Sequence, residues 1–222
     1  MTQQDTDTAK NNEAVLAGVP TEWPGAFGIY KYSKQAVKFN LGTILLLGLG
    51  SIVFSSATEW KLGFAGQIIS LVAGALFTAS LTLAYLAGSR KQKLPLEASI
   101  KKGWPYLLNM VLYTILVTLI AFGSLLLLIV PFFIVLPRLV LANYFLIDKK
   151  LGPWESIKAS WTASQGHASK VWGIFGVNLL MILLIFTIIG IPVAIYLLIM
   201  YSGALAVLYE SLHKHGAATP KE

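Results

Sequence analysis

A chain of 222 residues with 56% hydrophobic residues, 12% charged residues and a net charge of +7 carries about half the charge of a soluble domain. A soluble core of this size still needs charged surface, so the composition excludes a soluble globular protein and predicts an apolar surface covered by lipid. The absence of cysteine excludes a disulfide framework, a thiolate nucleophile and Cys-based zinc or iron–sulfur sites.

Residues 1–22 are polar and predict a disordered tail. They hold no short apolar region followed by a small-residue cleavage site, so the first long apolar run is expected to serve as the insertion signal and to stay. From 23 to 213 the pattern predicts an all-α transmembrane bundle of about six spans, followed by a short tail over 214–222. The spans are expected at about 37–57, 64–88, 105–122, 125–147, 171–189 and 191–212. The apolar run from 106 to 147 is too long for one crossing of a ~30 Å hydrocarbon layer at 1.5 Å per residue. Gly123-Ser124 is the expected turn within it. Gly190-Ile191-Pro192 divides the last two spans, since glycine ends helices and proline begins them.

Lysine and arginine placement gives an independent test. Lys10, Lys31, Lys34 and Lys38 precede the first span, and Arg90, Lys91, Lys93, Lys101 and Lys102 separate the second from the third. Lys149, Lys150, Lys158 and Lys170 separate the fourth from the fifth, and Lys214 and Lys221 follow the sixth. The opposite connections hold only Lys61. This one-sided alternation predicts a multi-pass protein of the plasma membrane with both termini cytoplasmic.

A short amphipathic stretch precedes each odd-numbered span. The first starts at Trp23-Pro24, the second at Leu94-Pro95 and the third at Gly152-Pro153. The last two share Pro-x-Glu, a small residue, Ile-Lys and a tryptophan. Proline with Glu close behind suits a helix start. The pattern predicts three units, each an interfacial helix followed by a transmembrane hairpin. Trp23, Trp104, Trp154 and Trp161 are the expected interfacial anchors, with the lysines turned to water. In the second span Gly66, Ser70, Gly74, Thr78 and Thr82 recur every fourth residue and predict a helix-packing stripe.

Arg138 is the one base inside a span. Ten residues before Asp148, it is placed about 15 Å deep on a straight helix, at a cost of ~2.5–3.5 kcal/mol on insertion scales. No buried carboxylate is expected near it. Thr78, Tyr113, Asn178 and Tyr201 fall at a similar level, and Pro131 and Pro137 free carbonyls nearby. Arg138 therefore either pins the bundle through neutral groups or receives an anionic group in a hydrated cavity.

The chain holds no phosphate-binding Gly-rich loop, HExxH or G-x-S-x-G, and no intramembrane pair of carboxylates or histidines. His213 and His215 stand two apart, on different sides of a helix. No catalytic residue, metal site or cofactor is expected, and the basic residues beside the spans read as contacts to anionic lipid, not to nucleic acid. A second membrane protein is the other partner class. The expected role is a non-enzymatic membrane module. The alternative is a transporter or lipid-handling protein with a cavity around Arg138.

The segment from Asp148 through Gly152-Pro153-Trp154-Glu155 and Ser160-Trp161 to Gly166, with Pro131, Pro137 and Arg138 before it, resembles a known family. It is similar to the membrane domain of the glycerophosphodiester phosphodiesterase type, which also stands alone in many bacterial membrane proteins. The resemblance is clearest from about 125 to 212. It implies a helical membrane module and not the phosphodiesterase activity, which belongs in that family to a separate barrel of ~250 residues.

Overall fold

The computed structural model describes residues 23–127, 129–183 and 190–214, and these are all-helical. The helices are α1 (Gly25–Phe39), α2 (Leu41–Ser89), α3 (Leu96–Gly103), α4 (Leu107–Leu127), α5 (Ile129–Leu139) and α6 (Ala142–Asp148). They continue as α7 (Pro153–Ala163), α8 (Ala168–Leu183), α9 (Gly190–Tyr201) and α10 (Ala204–Lys214), with a 3-10 turn over Trp104–Tyr106. Leu41–Thr58, Trp60–Ser89, Leu96–Ser124 and Pro192–Leu212 are each long and apolar enough to cross a membrane. The α7–α8 pair makes a fifth crossing if taken together, although it is bent by 97°. Several long apolar helices of this kind are the architecture of a multi-pass membrane protein.

The first hairpin is a single run of helix folded back on itself. Gly63 has φ 54° and ψ −124°, a backbone that a side chain would strain, and there α2 reverses. The two arms then pair in antiparallel order: Thr58 and Ser70 share a 2.6 Å hydrogen bond, and the Phe54 and Phe77 rings lie 6.2 Å apart. Asn40, 4% exposed, locks the open end. Its Nδ2 donates to the carbonyls of Ala84 and Gln92, both at 3.0 Å, and its Oδ1 accepts from the Leu94 amide at 2.7 Å. Asn40→Leu removes all three bonds and leaves buried backbone groups without partners. An expected loss of about 3 kcal/mol follows, to be read from unfolding of the detergent-solubilised variant in increasing SDS.

The structure shifts several expected boundaries. The first arm starts at Leu41, not at 37, because Val37 belongs to α1 and is fully buried there. Gly123-Ser124 is not the turn of the second hairpin. Helix α4 runs through it to Leu127 and α5 starts at Ile129. One glycine costs a helix only ~1 kcal/mol, and a membrane segment keeps its backbone bonds internal where it can. The last span is broken at Ser202-Gly203, between α9 and α10. The tails 1–22 and 215–222 and the end of the predicted fifth span, 184–189, lie outside the described residues.

The short helices pack on the bundle through small and aliphatic residues and leave aromatic side chains exposed. In α1 the buried stripe is Ile29, Ser33, Ala36 and Val37, while Phe27 is 72% exposed. In α7, Ile157 is buried with Ser156, Ala159 and Ser160, and Trp154 and Trp161 stay at the edge. Small residues decide this: a serine or alanine face allows close backbone approach, which drives packing where lipid replaces water.

Three fully buried serines use that approach in the same way. Ser99 donates to the Ser80 carbonyl at 2.8 Å, Ser160 to the Arg138 carbonyl at 2.5 Å, and Ser33 to the Met200 carbonyl at 2.6 Å. The second unit's short helix thus holds the first hairpin, the third holds the second, and the first holds the third. The contacts close a ring. Each accepting carbonyl stands ten residues before an ionic residue at the end of its hairpin (80 before 90, 138 before 148, 200 before 210). Helices α5 and α6 part at 140–141, and α9 and α10 part at 202–203, in both cases seven to eight residues before the acid, Asp148 or Glu210. The threefold pattern expected from sequence is therefore present as a repeated set of contacts.

Candidate functional site

The hairpins' second helices converge on one end of the bundle, the end that carries most of the lysines. There Arg90, Asp148 and Glu210 meet. Arg90 Nε donates to Glu210 Oε1 at 2.8 Å and Arg90 Nη2 donates to Asp148 Oδ1. Tyr209 OH donates to Asp148 Oδ2 at 2.9 Å, and the Tyr209 ring stacks on Tyr144 and meets the edge of Phe145. Burial opposes the arginine's charge, but the Glu210 and Asp148 carboxylates outweigh it and raise the Arg90 pKa above its ordinary value. One residue from each unit supplies this cluster, which therefore sits where the ring closes.

Beside the cluster, two cavities lie between the first and second units. One, of about 260 Å³, is lined by Arg90, Lys93, Lys102 and Asp148. The other, of about 550 Å³, is lined by Lys101, Lys102, Lys150, Tyr106 and Asn109. They share Lys102 and Leu83. Five bases face one acid across the pair, so the field favours an anion. Local structure places them. Lys101 and Lys102 end α3, where a cation also suits the helix dipole. Lys150 has φ 53° and Lys91 φ 56°, a left-handed conformation uncommon for a side-chain-bearing residue. Such backbone persists where the surrounding structure holds it, commonly at functional sites.

A third cavity, of about 310 Å³, lies further along the same seam. Thr78 and Tyr113 line it with Val117, Ala121, Val135 and Leu139. Its polar groups bond within the protein. Tyr113 OH reaches the Leu139 carbonyl at 3.4 Å, and Asn143 Nδ2 donates to Thr82 Oγ1 at 3.3 Å.

The five residues expected to form one polar layer are not brought together. Thr78 and Tyr113 share the 310 Å³ cavity. Asn178 donates to the Ile174 carbonyl of its own helix, and Tyr201 OH donates to the Ala26 carbonyl of α1 at 2.6 Å. Arg138 stacks its guanidinium on the Trp161 ring, 4.6 Å from the centroid, while its buried Nε has no hydrogen-bond partner among the described residues. A cation over an indole face is stabilised by about 0.5–2 kcal/mol. The break at 140–141 removes the straight-helix geometry on which the expected depth of Arg138 rests.

The tryptophans gather towards the basic end. Trp104 is 62% exposed and Trp154 is half exposed with Lys158 over its ring, while Trp23 is half-buried beneath Lys170. Of the small-residue stripe, Gly66, Ser70 and Thr82 are buried, whereas Thr78 is exposed to the cavity. Sequence reasoning missed Arg90, Asp148 and Glu210 as a group. Their one signal was register: each stands at the end of an expected even-numbered span.

No protein-family model, curated protein or solved structure matches the chain.

Proposed function

We propose that this protein is a non-enzymatic, six-span module of the plasma membrane, both termini cytoplasmic, that binds the headgroups of anionic phospholipids at its basic end. The observation that carries the reading is the pair of adjacent cavities lined by Arg90, Lys93, Lys101, Lys102 and Lys150 between the first and second units. Basic pockets between membrane helices on the cytoplasmic side suit phosphate headgroups. The lysine distribution supports that orientation, since every basic connection falls at one end. The resemblance to the stand-alone membrane domain of the phosphodiesterase type supports a module without its own chemistry. The alternative, a transport cavity around Arg138, draws no support from the geometry, because Asn178 and Tyr201 are held elsewhere.

The test is lipid retention. Native mass spectrometry of protein released from mild detergent is expected to show phosphatidylglycerol kept in preference to phosphatidylcholine. The triple variant Lys101→Gln, Lys102→Gln, Lys150→Gln is expected to weaken that retention about 100-fold, at ~1 kcal/mol for each lysine near an anionic surface. Equal retention of both lipids by wild type and variant would overturn the reading.

A further inference from the structure

We infer that the bound lipid also has one acyl chain drawn into the protein, along the seam between the first and second hairpins. This rests on the headgroup reading above and adds to it the class of ligand: an intact anionic phospholipid.

Two cavities mark this seam at successive levels. On α4, Asn109 lines the larger basic cavity, and Tyr113, Val117, Ala121 and Ser124 line the 310 Å³ cavity. Steps of three and four residues put all of these on one stripe of the helix. Facing them on α2, Leu83 lines the basic cavity and Thr78 the apolar one, about 7.5 Å further from the basic end. From Asn109 to Ser124 the helix rises about 22 Å, more than one leaflet of a ~30 Å hydrocarbon layer. A base-lined cavity thus stands at one end of the stripe and an apolar slot further along it, over a length that suits a chain.

The slot's chemistry favours an apolar chain. Tyr113 and Asn143 are bonded to protein partners, and Ser124 Oγ donates to the Ala121 carbonyl at 2.8 Å. Apart from Thr78 the remaining wall is aliphatic: Val117, Ala121, Val135, Leu136, Leu139 and Val140. The opposite side of α4 differs: Leu108, Leu112, Ile115, Leu119 and Phe122 are 41–70% exposed and form the outward face. A chain in the slot and a chain in the bulk bilayer therefore touch different residues of one helix.

Phosphatidylglycerol with a diazirine midway along one acyl chain, reconstituted with the full chain in phosphatidylcholine nanodiscs and irradiated, distinguishes them. Peptide mapping is expected to place most of the label on Tyr113, Val117, Ala121 and the 135–139 segment. In Ala121→Trp, whose indole fills the slot, inward labelling is expected to fall about tenfold. Wild-type label confined to Leu112, Ile115, Leu119 and Phe122, with retention still dependent on the three lysines, overturns this inference and leaves the headgroup reading standing. Undiminished retention in the lysine triple variant overturns the headgroup reading and this inference with it. Because the wild-type map alone decides where the chain lies, a poorly folding Ala121→Trp does not block the test.

Discussion

Arg90→Met is expected to destabilise the bundle by about 3–5 kcal/mol, the cost of breaking a buried ionic group from one side. The side chains of Asp148 and Glu210 are 11% and 3% exposed, and Arg90 is the base that bonds both. Removing it leaves two carboxylates facing each other in a desolvated site, with Tyr209 able to bond one of them. Arg90→Lys is expected to recover only part of the loss, because a single ammonium lacks the planar fork that reaches two acceptors at once. The triple variant Arg90→Met, Asp148→Leu, Glu210→Leu is expected to regain most of it, since apolar residues of similar volume often replace a buried ionic cluster without net loss. Unfolding in increasing SDS, followed by helical circular dichroism, ranks the variants. A triple variant no more stable than Arg90→Met would mean that the charges do more than hold the three hairpins together.

Gly88→Ala is the second large effect. A Cβ at residue 88 would lie 2.1 Å from the Ala36 carbonyl oxygen and 2.9 Å from its carbon. Those atoms are backbone of α1, so no rotamer change relieves the clash, and α1 must move away from α2. The move pulls on Asn40 and on the Ser33–Met200 contact at once. A loss of about 3 kcal/mol or more is expected, with a lower detergent melting temperature and reduced membrane yield. Gly74→Ala is the control. Its Cβ meets nothing within 4 Å, and alanine is the better helix former by about 1 kcal/mol. A Gly88→Ala variant as stable as Gly74→Ala would show that α1 and α2 do not approach so closely.

The sequence made some features legible and hid others, for physical reasons. The first hairpin was readable because Glu59, Trp60 and Lys61 interrupt an apolar run long enough for two crossings, and Gly63 turns close by. The helix starts at Pro95-Leu96 and Pro153 were readable from proline and Glu. The turn of the second hairpin was misplaced because Gly123-Ser124 is only a weak helix breaker in lipid. The polar layer around Arg138 failed because depth was counted along a straight helix, and α5 ends two residues after Pro137. The basic cavities were half legible. Their lysines were visible as charge, but a charge run does not show which members share a cavity. The serine contacts were not legible at all, since Ser33, Ser99 and Ser160 look like any small polar residue until the partner carbonyl is known. Arg90, Asp148 and Glu210 were read as scattered flanking charges because 58 and 62 positions separate them along the chain.

A ring has no free edge, but a ribosome makes a line. Ser33 meets a partner 167 residues later, and Ala26 meets Tyr201 175 residues later. At translation rates of roughly 5–20 residues per second, the first helix waits on the order of 10–30 s for the helix that covers it. Through that interval the α1 face of Ile29, Ser33, Ala36 and Val37 lacks its partner from the third hairpin, and a chain cut short after the second hairpin never finds one. The α1 face is thus completed only once the third hairpin has been made. A truncated product carries an unmatched seam at each end, which gives membrane quality control a physical mark by which to tell it from the finished molecule.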